Sequence, residues 1–196
     1  MSRVGWIFVG IVVLVVAAFV SMTRFGSSGG APVSVAIPVA EGGSRAAPDG
    51  ALRMPVVGIA RAAVTDSWGD ERGGGARGHH GTDIMAPAGR EVVAAAPGKV
   101  EKLFRSHDGG NTVYVRSADG RWSYYYAHLA GYAPGLAEGQ AVAEGDPIGF
   151  VGDTGNAGAG NYHLHFGLSR MAPGDNWSGG QPVNPYPLLA GRAPRR

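Results

Sequence analysis

The apolar positions of this chain fall into three regimes. Val4–Met22 is an unbroken run of 19 residues without a charge, lying between Arg3 and Arg24. That is close to the roughly 20 residues a helix needs to cross a bilayer. A cleaved signal peptide normally carries an apolar region of only about 7–15 residues, and no clear A-x-A site follows this one. The run therefore predicts an uncleaved single-pass transmembrane helix, with residues 1–22 as cytoplasmic start and anchor. One arginine on each side leaves its orientation undecided by charge.

Thr23–Ala51 is rich in Gly, Ser, Pro and Ala and has no helical period. It predicts a linker (residues 23–51), which if flexible would have an r.m.s. span of roughly 30 Å. From Leu52 the pattern turns to alternation with period two, cut by Gly and Pro. "REVVAAAPGKVEKLF" reads as strand, Pro97-Gly98 turn, strand, and "NTVYVRSADGRWSYYYAHL" as a hairpin turning at Ala118-Asp119-Gly120. "YHLHFGLSR" is a further strand. No stretch after the anchor shows an apolar period of about 3.6 residues. The expected fold is mainly β: a compact antiparallel domain over residues 52–189, followed by a basic tail, 190–196.

Composition narrows the chemistry. The 34 glycines and 13 prolines are spread through turn positions, and there is no cysteine, which excludes disulfides, thiolate nucleophiles and Cys-ligated zinc. A formal charge of +2 without a Lys/Arg block gives no reason to expect a nucleic-acid partner.

The six histidines then become informative. His163 and His165 in "NYHLHFG" are two apart, so a strand would project both from one face, roughly 6.5–7 Å apart along the chain. His128 closes "WSYYYAHL", where alternation would put Trp122, Tyr124, Tyr126 and His128 together. "RGHHGTDIMAP" adds a histidine doublet beside Asp83. In an extended segment residues 79, 81 and 83 share a face, and in a helix residues i and i+4 are neighbours. Both readings pair His79, not His80, with Asp83. His79, Asp83, His128, His163 and His165 are five candidates for a catalytic zinc that takes three protein ligands. The surplus suits a hydrolase, in which unligated histidines act as general base and electrostatic stabiliser. The helical H-E-x-x-H signature is absent.

"HHGTDIMAP", "YYYAHL" and "YHLHFG", in this order, resemble the motifs of the lysostaphin/LytM-type zinc metalloendopeptidases, which cleave peptidoglycan. "APGKV", "GGNTVYV", "VAEGDPIGFVGDTGN" and "VNPYPLL" extend the resemblance over about residues 55–189. It implies one zinc ion per domain, held by His79, Asp83 and His165. It makes His163 the base that activates a zinc-bound water, with His128 orienting that water or stabilising the oxyanion. Tyr126, taken to lie on the His128 face, is a candidate substrate contact, while His80 and His107 fall outside the motifs. Asn161 and Tyr162 depart from the family pattern before H-L-H. The implied partner is a peptidoglycan peptide, stem or cross-link. The implied location is the cytoplasmic (inner) membrane, entered with the N-terminus inside and the catalytic domain periplasmic. Some family members are catalytically idle activators of other wall hydrolases, but these usually lack the metal ligands, and here every expected position is filled.

Overall fold

The computed structural model describes residues 51–191, apart from Gly73 and Ala76. The expected transmembrane helix, nearly all of the linker and most of the basic tail lie outside the described residues. Among the described residues, no helix is long and apolar enough to cross a membrane.

Among the described residues, eleven strands follow one another: β1 (Glu71–Arg72), β2 (Arg77–Gly78), β3 (Thr82–Met85), β4 (Glu91–Val93), β5 (Gly98–Ser106), β6 (Gly110–Ser117), β7 (Trp122–Tyr132), β8 (Ala141–Val142), β9 (Pro147–Val151), β10 (His163–Arg170) and β11 (Gln181–Pro182). A single helical turn, Tyr186–Leu189, follows β11. β1 and β2 form a separate small antiparallel hairpin. The other nine make one antiparallel sheet with the path β11-β10-β7-β6-β5-β8, to which β3 adds beside β10 and β9 beside β4 and β7. The mainly β, antiparallel architecture is thus as the alternation predicts.

Two local expectations fared differently. The β6–β7 hairpin forms, and its turn is closed by the Gly120 N–H donating to the Ser117 carbonyl at 2.9 Å. Pro97-Gly98 does separate two strands, but these do not pair with each other: β4 pairs with β9, and β5 with β6 and β8. β4 does not alternate: Val92 and Val93, 0% and 3% exposed, are both buried, and its ladder to β9 shifts register between them.

The sheet has an apolar face and a chemical one. On β10, Leu164, Phe166 and Leu168 are at most 1% exposed and enter the core with Ile84 of β3 and Tyr124 and Tyr126 of β7. Each fully buried Leu or Phe stabilises the fold by about 1.5–3 kcal/mol. His163, His165 and Gly167 occupy the alternate positions, and the register sets His165 beside Asp83 on one side and Ala127 on the other. Strand pairing therefore brings residues 83 and 165 together from opposite ends of the domain.

Along β7 the alternation fails once. Val113 of β6 faces Tyr126 but Asn111 faces Leu129, so three steps on β7 match two on β6. The extra residue is a β-bulge, which reverses the parity beyond it. At the same place β7 exchanges its partner β10 for β9. His128 sits in the bulge with φ of 61°, the one non-glycine with positive φ among the described residues.

Candidate functional site

His79, Asp83 and His165 converge on one point. His79 Nε2 lies 2.8 Å from His165 Nδ1, and Asp83 Oδ1 lies 3.0 Å from each of these atoms. The ligand atoms of a tetrahedral zinc, bonded at about 2.0–2.1 Å, stand about 3.3 Å apart by the same geometry. Two imidazole nitrogens and a carboxylate oxygen are also the donor set zinc takes, so the three residues fit the ion with shifts of a few tenths of an ångström.

Each member is held by neighbours the fold supplies. His79 Nδ1 is 2.6 Å from the carbonyl of Ser67. A carbonyl only accepts, so Nδ1 carries the proton and Nε2 keeps its lone pair for a metal. Ser67 Oγ accepts the Asp83 N–H at 3.1 Å, so one serine orients two of the three residues. The second Asp83 oxygen, Oδ2, receives Nη2 of Arg72 at 2.6 Å. The His165 ring meets Tyr125 edge-on, with centroids 5.8 Å apart. Gly81 has no room for a side chain, because a Cβ there would come within 2.5 Å of His165 Cε1.

Burial pushes the Asp83 carboxyl up, but hydrogen bonds and charges from His165 and His79 outweigh it and hold the group well below the carboxylate range. Burial pushes the His165 imidazole down, only partly offset by Asp83. A cation is ligated by an ionised carboxylate and by imidazole nitrogens with a free lone pair, and the depressed Asp83 carboxyl meets the first of these conditions.

Two further histidines adjoin the cluster. His163 Nδ1 donates to the Asn161 carbonyl at 2.9 Å, and its Nε2 lies 3.8 Å from Asp83 Oδ1. His128 Nδ1 donates to the Thr154 carbonyl at 2.8 Å. The rings of His128 and His163 are 4.8 Å apart, and those of His128 and His165 5.9 Å. By the same argument each carbonyl selects the neutral tautomer that has its proton on Nδ1 and its lone pair on Nε2. Burial pushes His128 down to about 4, so it is uncharged at neutral pH. Thr154 is itself fixed: its hydroxyl donates to the Leu129 carbonyl at 2.8 Å and accepts the Asn111 N–H at 3.0 Å.

Five of the six site residues predicted from sequence are thus brought together. Tyr126 is not among them, and its reading as a substrate contact is corrected here. It is fully buried, packs edge-on against Phe166 at 5.3 Å, and its hydroxyl accepts the Ala95 N–H at 2.9 Å. The bulge explains the error, because it turns His128 to the opposite sheet face, where Tyr125 lies. His80 is exposed and stacks on Trp68 with centroids 5.4 Å apart. His107 is exposed beside Asp108. The roles of Ser67, Arg72, Tyr125, Asn161 and Thr154 went unrecognised in the sequence, although Tyr125, Asn161 and Thr154 lie in the motifs "YYYAHL", "NYHLHFG" and "GDTGN".

Comparison with known proteins agrees with this geometry. The "L-Ala--D-Glu endopeptidase" of Bacillus subtilis is 39% identical over 129 residues, covering 63% of this chain and 38% of that protein. The chain thus corresponds to well under half of that relative's length. The catalytic domain of the antimicrobial peptidase lysostaphin from Staphylococcus simulans superposes with a TM-score of 0.53 at 29% identity, over 64% of this chain and 90% of that one. A zinc-containing peptidase from Vibrio cholerae superposes with a TM-score of 0.50 at 26% identity, over 60% of this chain and 36% of that one. The profile of Peptidase family M23 matches residues 77–185, a span that holds all five converging residues. That match covers more than half of the sequence and includes both halves of the site, so the chain belongs to peptidase family M23.

Proposed function

We propose that this protein is a zinc endopeptidase that hydrolyses peptide bonds in the stems or cross-links of peptidoglycan. The observation that carries the reading is the convergence of three ligand-type atoms, 2.8–3.0 Å apart, with two further histidines turned toward them. His79, Asp83 and His165 would hold the ion. When bound, zinc supplies a Lewis acid for the scissile carbonyl and lowers the pKa of water to about 7.

The remaining work falls to the side chains. His163, locked by the Asn161 carbonyl, offers Nε2 as the general base and can return the proton to the leaving amine. His128 offers a neutral acceptor nitrogen, because its Nδ1–H is committed to Thr154. That favours orienting the attacking water over donating to an oxyanion. Met85, paired with His163 across β3 and β10, and Tyr162, the residue before His163, are large hydrophobic side chains left 59% and 38% exposed.

The similarity to the Bacillus subtilis L-Ala--D-Glu endopeptidase supports a stem-peptide substrate. Peptidoglycan lies outside the cytoplasmic membrane, so the proposal extends to location: residues 4–22 would anchor the chain with residues 52–189 on the outer, periplasmic side. The test combines zinc stoichiometry with mass analysis of muropeptides released from purified peptidoglycan. The wild type is expected to bind one zinc and release new products. His163→Ala should keep the zinc and lose activity by about 10²–10⁴-fold, and Asp83→Ala should lose the zinc. Unchanged muropeptides from the one-zinc wild type would replace the enzyme by a catalytically idle activator of another wall hydrolase.

A further inference from the structure

The two oxygens of Asp83 have different neighbours. Oδ1 faces His79 and His165, whereas Oδ2 receives the guanidinium of Arg72 at 2.6 Å. We propose that Arg72 is a positioning residue for the metal ligand Asp83: it engages Oδ2 so that Oδ1 alone is presented to the ion. This rests on the metal site put forward above.

A carboxylate needs such a partner. The terminal torsion of an aspartate is broad and roughly two-fold, so the backbone alone does not decide which oxygen points where. Ser67 fixes only the Asp83 N–H. Arg72 is the group seen on the carboxylate's far side, and it is well placed to stay there. It lies on β1, opposite Arg77 of β2. The hairpin is joined to the ligand-bearing segment after β2, since the His79 N–H donates to the Asp70 carbonyl at 2.9 Å and the Gly69 N–H to the His79 carbonyl at 2.9 Å. The segment that delivers His79 thus also delivers the guanidinium. The pair is partly shielded, with side chains 36% and 20% exposed.

Arg72 acts on a bound cation in two opposed ways. Its charge repels the ion, while its hydrogen bond keeps the ligand oriented. The geometry points to orientation as the larger effect, because the guanidinium touches the oxygen turned away from the ligand cluster. Removal should then weaken zinc binding by about 10–100-fold, as is usual for groups that orient metal ligands.

The experiment uses the full-length chain and measures zinc affinity by competition with a chromophoric chelator, in wild type, Arg72→Ala and Arg72→Gln. The glutamine keeps an N–H donor without the charge. Arg72→Ala is expected to lose about 10–100-fold in affinity, and Arg72→Gln to recover most of it. The visible spectrum of the cobalt(II)-loaded protein gives a second readout. Loss of orientation lets the carboxylate become bidentate, which raises the coordination number and weakens the d–d bands in Arg72→Ala but not in Arg72→Gln. Thermal unfolding of the chelated variants checks the fold, and if Arg72→Ala does not fold, Arg72→Leu, which keeps apolar bulk but has no donor, takes its place in the comparison with Arg72→Gln. Unchanged or tighter zinc binding in Arg72→Ala, with an unchanged cobalt spectrum, overturns the proposal. A glutamine variant that loses as much affinity as the alanine also overturns it, because an N–H donor at this position would then not restore the ligand. Asp83→Ala separates this failure from failure of the metal site itself: if that variant retains zinc, the ligand assignment is wrong whatever Arg72 does.

Discussion

Gly81→Ala tests whether packing, as well as ligand identity, builds this site. The added Cβ would stand 2.5 Å from His165 Cε1, 2.6 Å from Nε2 and 2.9 Å from the Phe166 carbonyl oxygen. Ordinary contact begins near 3.4 Å, so the first gap is short by about 0.9 Å. The Phe166 oxygen belongs to the β3–β10 ladder and cannot retreat without breaking it, so the His165 ring must move. Metal–ligand distances tolerate deviations of only about 0.2 Å. A displacement several times larger removes one of three ligands, and zinc affinity should fall by at least about 100-fold. The strain should also cost about 1–3 kcal/mol of stability in the chelated protein. Chelator competition reads the first quantity and denaturant unfolding the second. Gly167→Ala is the control, since its Cβ meets Tyr125 Cβ at 3.3 Å and needs only a slight adjustment. Zinc binding by Gly81→Ala at wild-type affinity would refute the reasoning, because His165 could then not be seated as described.

Three further outcomes follow from the same contacts. His80→Ala gives up an exposed ring stacked on Trp68 and should leave zinc affinity and turnover within about twofold and stability within about 0.5 kcal/mol; loss of the metal would make His80 a ligand after all. Tyr126→Phe removes the oxygen that accepts the Ala95 N–H and leaves that donor buried, costing about 1–3 kcal/mol in denaturant unfolding with KM unchanged; a raised KM at unaltered stability would restore it as a substrate contact. His128 carries a pH signature, since burial pushes it to about 4 while the ordinary value is 6.5. Between those values the unfolded chain binds more protons, so the metal-free protein should lose stability as pH falls from 6.5 towards 4. His128→Asn tolerates the positive φ and should flatten that loss in thermal unfolding followed against pH, and an unaltered slope would assign it to other groups.

The sequence by itself determined the strand content of residues 52–189, because a period of two is written into each strand that buries one face. It also separated His79 from His80, since parity depends only on local spacing, and the structure sets the first in the cluster and the second on the surface. Where parity was carried across Ala127–His128 it failed. No glycine or proline marks the bulge there. The left-handed turn at His128 is held instead by remote partners, its N–H donating to the Gly109 carbonyl at 2.8 Å and its Nδ1–H to Thr154. That single inserted residue moved His128 to the chemical face and left Tyr126 in the core. Only the tertiary structure chose the residues that orient the site. Ser67, Arg72, Asn161 and Thr154 act through one carbonyl, one hydroxyl or one guanidinium, aimed at groups that chain folding brings near. Such contacts leave no period and no spacing in the sequence, because their partners are selected by sheet register and loop path and not by local pattern.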